Sequence, residues 1–234
     1  MNGFEPFGLH HLVIVLLTIA LSIGLPIWAN RRLTASGRIR VSRIMAATIS
    51  LTVVVWTIIR LCVETFDWRE DLPLDVCNSL ALLVAVLLWN PKRGMHEVIY
   101  YIVLSGTLQA VLTPEVFDGF PHHNYLKYWI VHSGLVIYVV FTTATLKLYP
   151  SWQGMFRALA WLNLYALGIH VLNLIWGTNF MYTMAKPPTA SLMDFLGPWP
   201  WYLLVCEGIA LVHFWIIYLP VARIRAETRY DSSF

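Results

Sequence analysis

The chain has 234 residues, 58% of them hydrophobic and only 12% charged, and its mean hydropathy is +0.64. Soluble domains carry about twice that charge fraction, so the composition excludes an ordinary soluble globule and points to a single all-α integral membrane domain over residues 1–234. The net charge of +3 is modest and its basic residues sit in short loops, which gives no support for nucleic-acid binding; Cys62, Cys77 and Cys206 are too scattered for a disulfide framework or a zinc site.

A crossing of the hydrocarbon core needs about 20 mostly apolar residues, and seven stretches approach that. The first, 9–29, lacks a basic flank and a small-residue cleavage site, so it reads as a retained helix. The second, 44–63, carries Arg60 near its end and is followed by Glu64. The third, 73–89, opens on LPLDVCNSLALL, which sets Asp75, Cys77 and Asn78 at the mouth of an apolar segment. The fourth, 98–113, carries Gln109; the fifth, 125–146, carries His132; the sixth, 155–176, carries His170 and Asn173; the seventh, 200–220, carries Glu207. These runs are continuous rather than alternating, which argues against a transmembrane barrel.

Basic residues alternate by loop. Arg31, Arg32, Arg38, Arg40, Arg43, Lys92, Arg93, Lys147, Arg157, Arg223, Arg225 and Arg229 fall on one side, whereas the other holds only Arg69, Lys127 and Lys186. The positive-inside rule then puts the N-terminus outside and the C-terminus in the cytoplasm. With that topology the polar residues of six spans fall at one level, in the outer third of the bilayer, with few of comparable cost at the inner level. Such groups are expensive in hydrocarbon unless they pair or line a wet cavity. The expectation is a shared outer pocket in which Arg60 pairs with Glu64, Asp75 or Glu207. Taken singly, a membrane His or Asn more often holds helices together than catalyses. His213 reads as packing, and His10, His11, His122 and His123 read as interfacial surface residues with no metal-like spacing. No metal and no cofactor are expected.

A thiol and an imidazole at one depth suit nucleophilic acyl transfer. Cys77 lies in the first turns of a helix, whose N-terminus favours negative charge and offers free N–H groups to an oxyanion. Asn78 adds a possible donor, and Asp75 either orients a histidine or pairs with Arg60. His132 is the favoured base, with His170 second or an orienting partner. The long connection 177–201 reads either as a cover over the pocket, with Asn179, Tyr182 and Lys186 facing a phosphate or glycerol, or as an ordinary turn shaped by prolines and anchored by Trp199 and Trp201.

The segments LPLDVCNSLALL, GTLQAVLTP, GFPHHNYLKYWIVHSG and NLYALGIHVLNLIWGTNFMYTMAKPPTASLMDFLGPWPWY together resemble the YwaF-like family of bacterial integral membrane proteins. That family is similar to a eukaryotic transmembrane phospholipid acyltransferase family and, more distantly, to the androgen-induced membrane fatty-ester hydrolases. The resemblance implies a multi-pass plasma-membrane protein acting on a phospholipid or lysophospholipid, with Cys77 as nucleophile and His132 as base. The motif often carries histidine where this chain has Asp75. Transfer to a lipid acceptor, hydrolysis at the same site, and a non-enzymatic seven-helix binding or transport protein all remain open at this point, as does the oligomeric state.

Overall fold

The computed structural model describes residues 3–188 and 191–231, with side chains as far as residue 224; Arg225 and Arg229, used in the charge pattern above, have side chains outside the described set. Among the described residues the fold is all-helical: α1 (Leu9–Arg32), α2 (Ala35–Cys62), α3 (Val76–Leu87), α4 (Arg93–Ile102), α5 (Leu108–Leu112), α6 (His123–Leu146), α7 (Trp152–Trp176) and α8 (Trp201–Asp231), with a π-helical turn, Val103–Thr107, joining α4 to α5. Six helical stretches are long and apolar enough to cross a membrane: α1, α2, α4 through α5, α6, α7 and α8.

The expected third span differs. Its helix has 12 residues, about 18 Å at 1.5 Å per residue, short of a hydrocarbon core of roughly 30 Å. The preceding residues bend instead of starting the helix earlier, with Leu74 N donating to Leu72 O at 2.7 Å, and neighbouring side chains take over the carbonyls of Pro73 and Leu74. Ser79 Oγ donates to Pro73 O at 2.7 Å and Tyr165 Oη donates to Leu74 O at 2.7 Å. Non-helical backbone at membrane depth is tolerable only when protein groups satisfy it in this way. Residues 71–90 nonetheless run antiparallel to α2 along its length. Arg60 holds Asp71 at one end, Ser50 Oγ donates to Ala81 O in the middle, and Arg43 holds Trp89 O and Asn90 at the other.

Local sequence sets the other boundaries. Thr34 and Ser151 hydroxyls accept from Gly37 N and Gly154 N and start α2 and α7. Gly177, at φ 66°, ends α7 in the left-handed conformation that glycine adopts without strain. α6 is the axis of the bundle: Val131, Leu135, Tyr138, Val139 and Phe141 are fully buried, whereas α1, α2 and α7 turn most of their side chains outward. Leu16, Leu17, Leu164, Leu167, Leu174, Leu204, Val212 and Ile216 face outward, as lipid-facing side chains do.

The helices define two ends. One gathers the end of α2, the starts of α3, α6 and α8, and the turn after α7. The other gathers the starts of α2, α4 and α7 and carries most of the basic residues. This basic end corrects the expectation that few costly polar groups lie there. Glu97, 2% exposed, is clasped by Arg93 (Nε–Oε1, 2.7 Å), Ser151 (2.9 Å) and Arg157 (3.2 Å), and His96 meets Thr142 at 2.9 Å.

Candidate active site

Cys77 sits in the first turn of α3, half-buried, with Sγ 3.3 Å from the hydroxyl of the buried Thr107. Thr107 closes the π turn, and such single wide turns are frequent at functional sites. Asp75, the N-cap of α3, does not cap its own helix; its Oδ1 accepts from Met181 N at 3.2 Å and ties the turn after α7 to the mouth of α3. Asn78 Oδ1 is buried without a hydrogen-bond partner among the described residues.

His132 is buried on α6, its ring 4.2 Å from that of Tyr128 by centroid. Its Nδ1 lies 2.7 Å from Tyr128 O. A carbonyl only accepts, so Nδ1 carries the proton and Nε2 keeps a lone pair, the tautomer a general base needs. Tyr128 is itself fixed, donating to Ala110 O at 2.8 Å. It stacks on His132, while Cys77 lies at the same end of the bundle in the first turn of α3. No hydrogen bond joins thiol and imidazole among the described residues; catalytic hydrogen bonds are often long or unmade before substrate binds. Lys127 lies over the Trp56 ring at 4.3 Å and within electrostatic range of Asp75, Cys77 and Asp71.

Two cavities adjoin this cluster. An end-facing one of about 280 Å³ is lined by Arg60, Asp71, Asp118, Asn124, Lys127 and Tyr128 among others. The second, about 290 Å³ and almost wholly apolar, lies between α3, α4 and α7 beside Val76, Ser79, Leu80 and Ile99.

The expected single outer pocket is divided. Arg60 takes Glu64, as expected, but its other partner is Asp71 (Nη2–Oδ2, 2.7 Å) rather than Asp75 or Glu207. Gln109 bonds only Thr113 of the next turn, and Glu207 lies half-exposed on α8, outside the cluster. His170 and Asn173 hold the turn after α7: His170 Nδ1 is 3.3 Å from Thr183 Oγ1, while Asn173 donates to Phe180 O and Thr183 Oγ1 and accepts from Thr178 and Phe180 N.

The turn places Met181 and Tyr182 at φ 58° and 53°, a conformation costing about 1–3 kcal/mol for each residue of this type and kept only by its surroundings. Asp75 holds Met181 N, Tyr202 Oη donates to Tyr182 O, and Trp199 Nε1 donates to Thr183 O. Asn179 is used within the loop by Met184, Ala185 and Ala185 O, and Lys186 reaches Asp194 O. Tyr182, the third residue expected to face substrate, has its carbonyl held by Tyr202 Oη. Burial, then the charges of Glu115 and Asp75, push the Tyr182 phenol above the ordinary value, so at neutral pH it is a hydrogen-bond donor.

Sequence reading missed Thr107, Tyr128 and Asp71, none of which stands out by type. Lys127 did carry a signal, being a lysine at the head of an apolar span, but it reads equally as a loop charge. The reading of His122 and His123 as surface residues is also corrected: both are about three-quarters buried, and their ligand atoms gather with Glu64.

No curated protein and no solved structure matches the chain. The family model that does match covers residues 6–218, nearly the whole of the membrane domain and every residue of the cluster. On that match, the chain is a multi-pass membrane protein that belongs to the TMEM164 family.

Proposed function

We propose that this protein is a membrane lipid acyltransferase that carries a fatty acyl chain on Cys77, with His132 as general base. The observation that carries the reading is the state of His132: its Nδ1 is committed to Tyr128 O, which leaves Nε2 free to act as a base at the end of the bundle where α3 presents the Cys77 thiol. His132 Nε2 takes the thiol proton as Sγ attacks the ester carbonyl. The carbonyl oxygen becomes an oxyanion near the N–H groups of the first turn of α3, Asn78 and Tyr182. The C–O bond breaks, and the leaving alkoxide recovers the proton from His132. An acceptor hydroxyl then gives its proton to His132 and attacks the thioester; the C–S bond breaks, and the released thiolate recovers that proton from His132. The resemblance to lipid acyltransferases with a Cys–His pair supports the same residues.

The substrate is a phospholipid or lysophospholipid. The apolar cavity beside α3 suits an acyl chain, and Arg60 and Lys127 at the polar cavity suit an anionic headgroup. The protein resides in the plasma membrane. The basic end faces the cytoplasm, α3 with its non-helical lead forms a seventh crossing, and the site opens toward the outer leaflet. A second reading, hydrolysis of the same thioester, is favoured by the polar, end-facing cavity, which admits water.

The test is intact-protein mass spectrometry after incubation with mixed phospholipids. An acyl adduct on wild type and none on Cys77→Ser supports covalent catalysis; transfer to an added lysophospholipid separates acyltransferase from hydrolase. A wild-type protein that takes no adduct and leaves the lipids unchanged returns the site to ligand binding.

A further inference from the structure

We infer that Glu64, His122 and His123 form a divalent transition-metal site, of the kind zinc occupies, clamping the end of α2 to the start of α6. The three ligand atoms lie within 4.8 Å of one another. His123 Nε2 is buried and makes no hydrogen bond, yet lies 3.3 Å from Glu64 Oε1. Two ligands on a tetrahedral zinc, each about 2.0–2.1 Å from the metal, sit about 3.3 Å apart. The pair thus has the spacing of co-ligands without the geometry of a hydrogen bond.

Each ligand is braced from behind, as metal ligands are. Arg60 Nη1 pairs with the other oxygen of Glu64. In the metal-free structure His122 Nδ1 accepts from Asn124 N at 3.3 Å; with a metal on Nε2 the ring proton moves to Nδ1 and donates to Asp118 Oδ2, 3.2 Å away. Asp118 is in turn held by Asn124 Nδ2 at 2.8 Å, and Asn124 Oδ1 by Trp56 Nε1 at 2.7 Å. Two imidazoles and one carboxylate are borderline ligands that suit zinc, and three protein ligands leave a fourth position for water. Glu64, Asp71 and Asp118 oppose Arg60 and Lys127 here, so the region accepts added positive charge. The site contains neither Cys77 nor His132, and it shares Arg60, Asp118 and Asn124 with the polar cavity proposed for the headgroup.

The experiment uses the full-length protein in detergent, purified without a polyhistidine tag and stripped with EDTA, then titrated with Co²⁺ and Zn²⁺. The expected result is one equivalent of Co²⁺ with the visible absorption of a tetrahedral ion, displaced by one equivalent of Zn²⁺. His123→Gln lowers the affinity at least 100-fold, and Asp118→Asn, behind His122, lowers it about 10- to 100-fold; His213→Gln, far along α8, leaves it unchanged. A wild type that saturates with no equivalent, or a His123→Gln that binds as wild type, overturns the site. If His123→Gln is not monodisperse, Glu64→Gln is read on the same criterion, and unchanged binding there overturns it equally.

Discussion

The two ends of the bundle both bury polar groups, but they use them differently. At the basic end both carboxylate oxygens of Glu97 are occupied, by Arg93 on one side and by Ser151 and Arg157 on the other, and the one buried ring nitrogen left open beside it, His96 Nδ1, has no thiol or second imidazole near it among the described contacts. Gly154 admits the carboxylate: a Cβ there would lie 2.5 Å from Glu97 Oε2. At the opposite end, among the described residues, Asn78 Oδ1 has no partner, His132 keeps a free ring nitrogen, and Cys77 is bonded only to a hydroxyl. A buried charge with its valences filled is a fastening. Buried groups with valences to spare are where a substrate or ion can enter.

That contrast breaks most sharply at Cys77. Cys77→Ser is expected to abolish the acyl adduct and to cut lipid turnover by about 10³-fold or more, while thermal stability stays close to wild type, because serine keeps the bond to Thr107. Turnover within tenfold of wild type removes Cys77 from the chemistry. His132→Gln should slow adduct formation by about 10²–10⁴-fold, the usual worth of a positioned base; single-turnover rates in detergent measure it, and an unchanged rate transfers the role elsewhere.

The basic end should answer in stability alone. Gly154→Ala is expected to cost about 1–3 kcal/mol by overpacking against Glu97, seen as a lower melting temperature, with the rate of Cys77 acylation in the folded fraction unchanged. A loss of acylation without a loss of stability would erase the distinction between the ends. The smallest effect is expected from Thr107→Val. One neutral hydrogen bond is worth about 1 kcal/mol, so labelling of Cys77 by a lipophilic thiol probe should shift less than about tenfold. A larger change would make Thr107 part of the reacting group.

Much of this was legible before any coordinates. Continuous apolar runs require helices, and the clustering of Arg31 to Arg43 with Lys92, Arg93 and Arg157 marks one end, because charge cannot rest in hydrocarbon. Cys77 and His132 stand out because reactive polar types are rare in such runs. Arg60 announced a need for an acidic partner, but the sequence offers several and only packing selects Asp71 alongside Glu64. His122 and His123 look like loop residues until the end of α2 brings Glu64 to them.

The sequence by itself determined the class, the apolar segments, the charge asymmetry and the residues able to do chemistry, since each follows from transfer of side chains between water and hydrocarbon. Only the tertiary structure decided that α3 would be a 12-residue helix, that a π turn would bring Thr107 to Cys77, that Glu97 would be filled and Asn78 left open, and that the turn at Met181 would close against Asp75. Those outcomes depend on which of several possible partners a polar group meets. That choice is settled by the register of one helix against another, over separations of up to about a hundred residues, and no local pattern carries it.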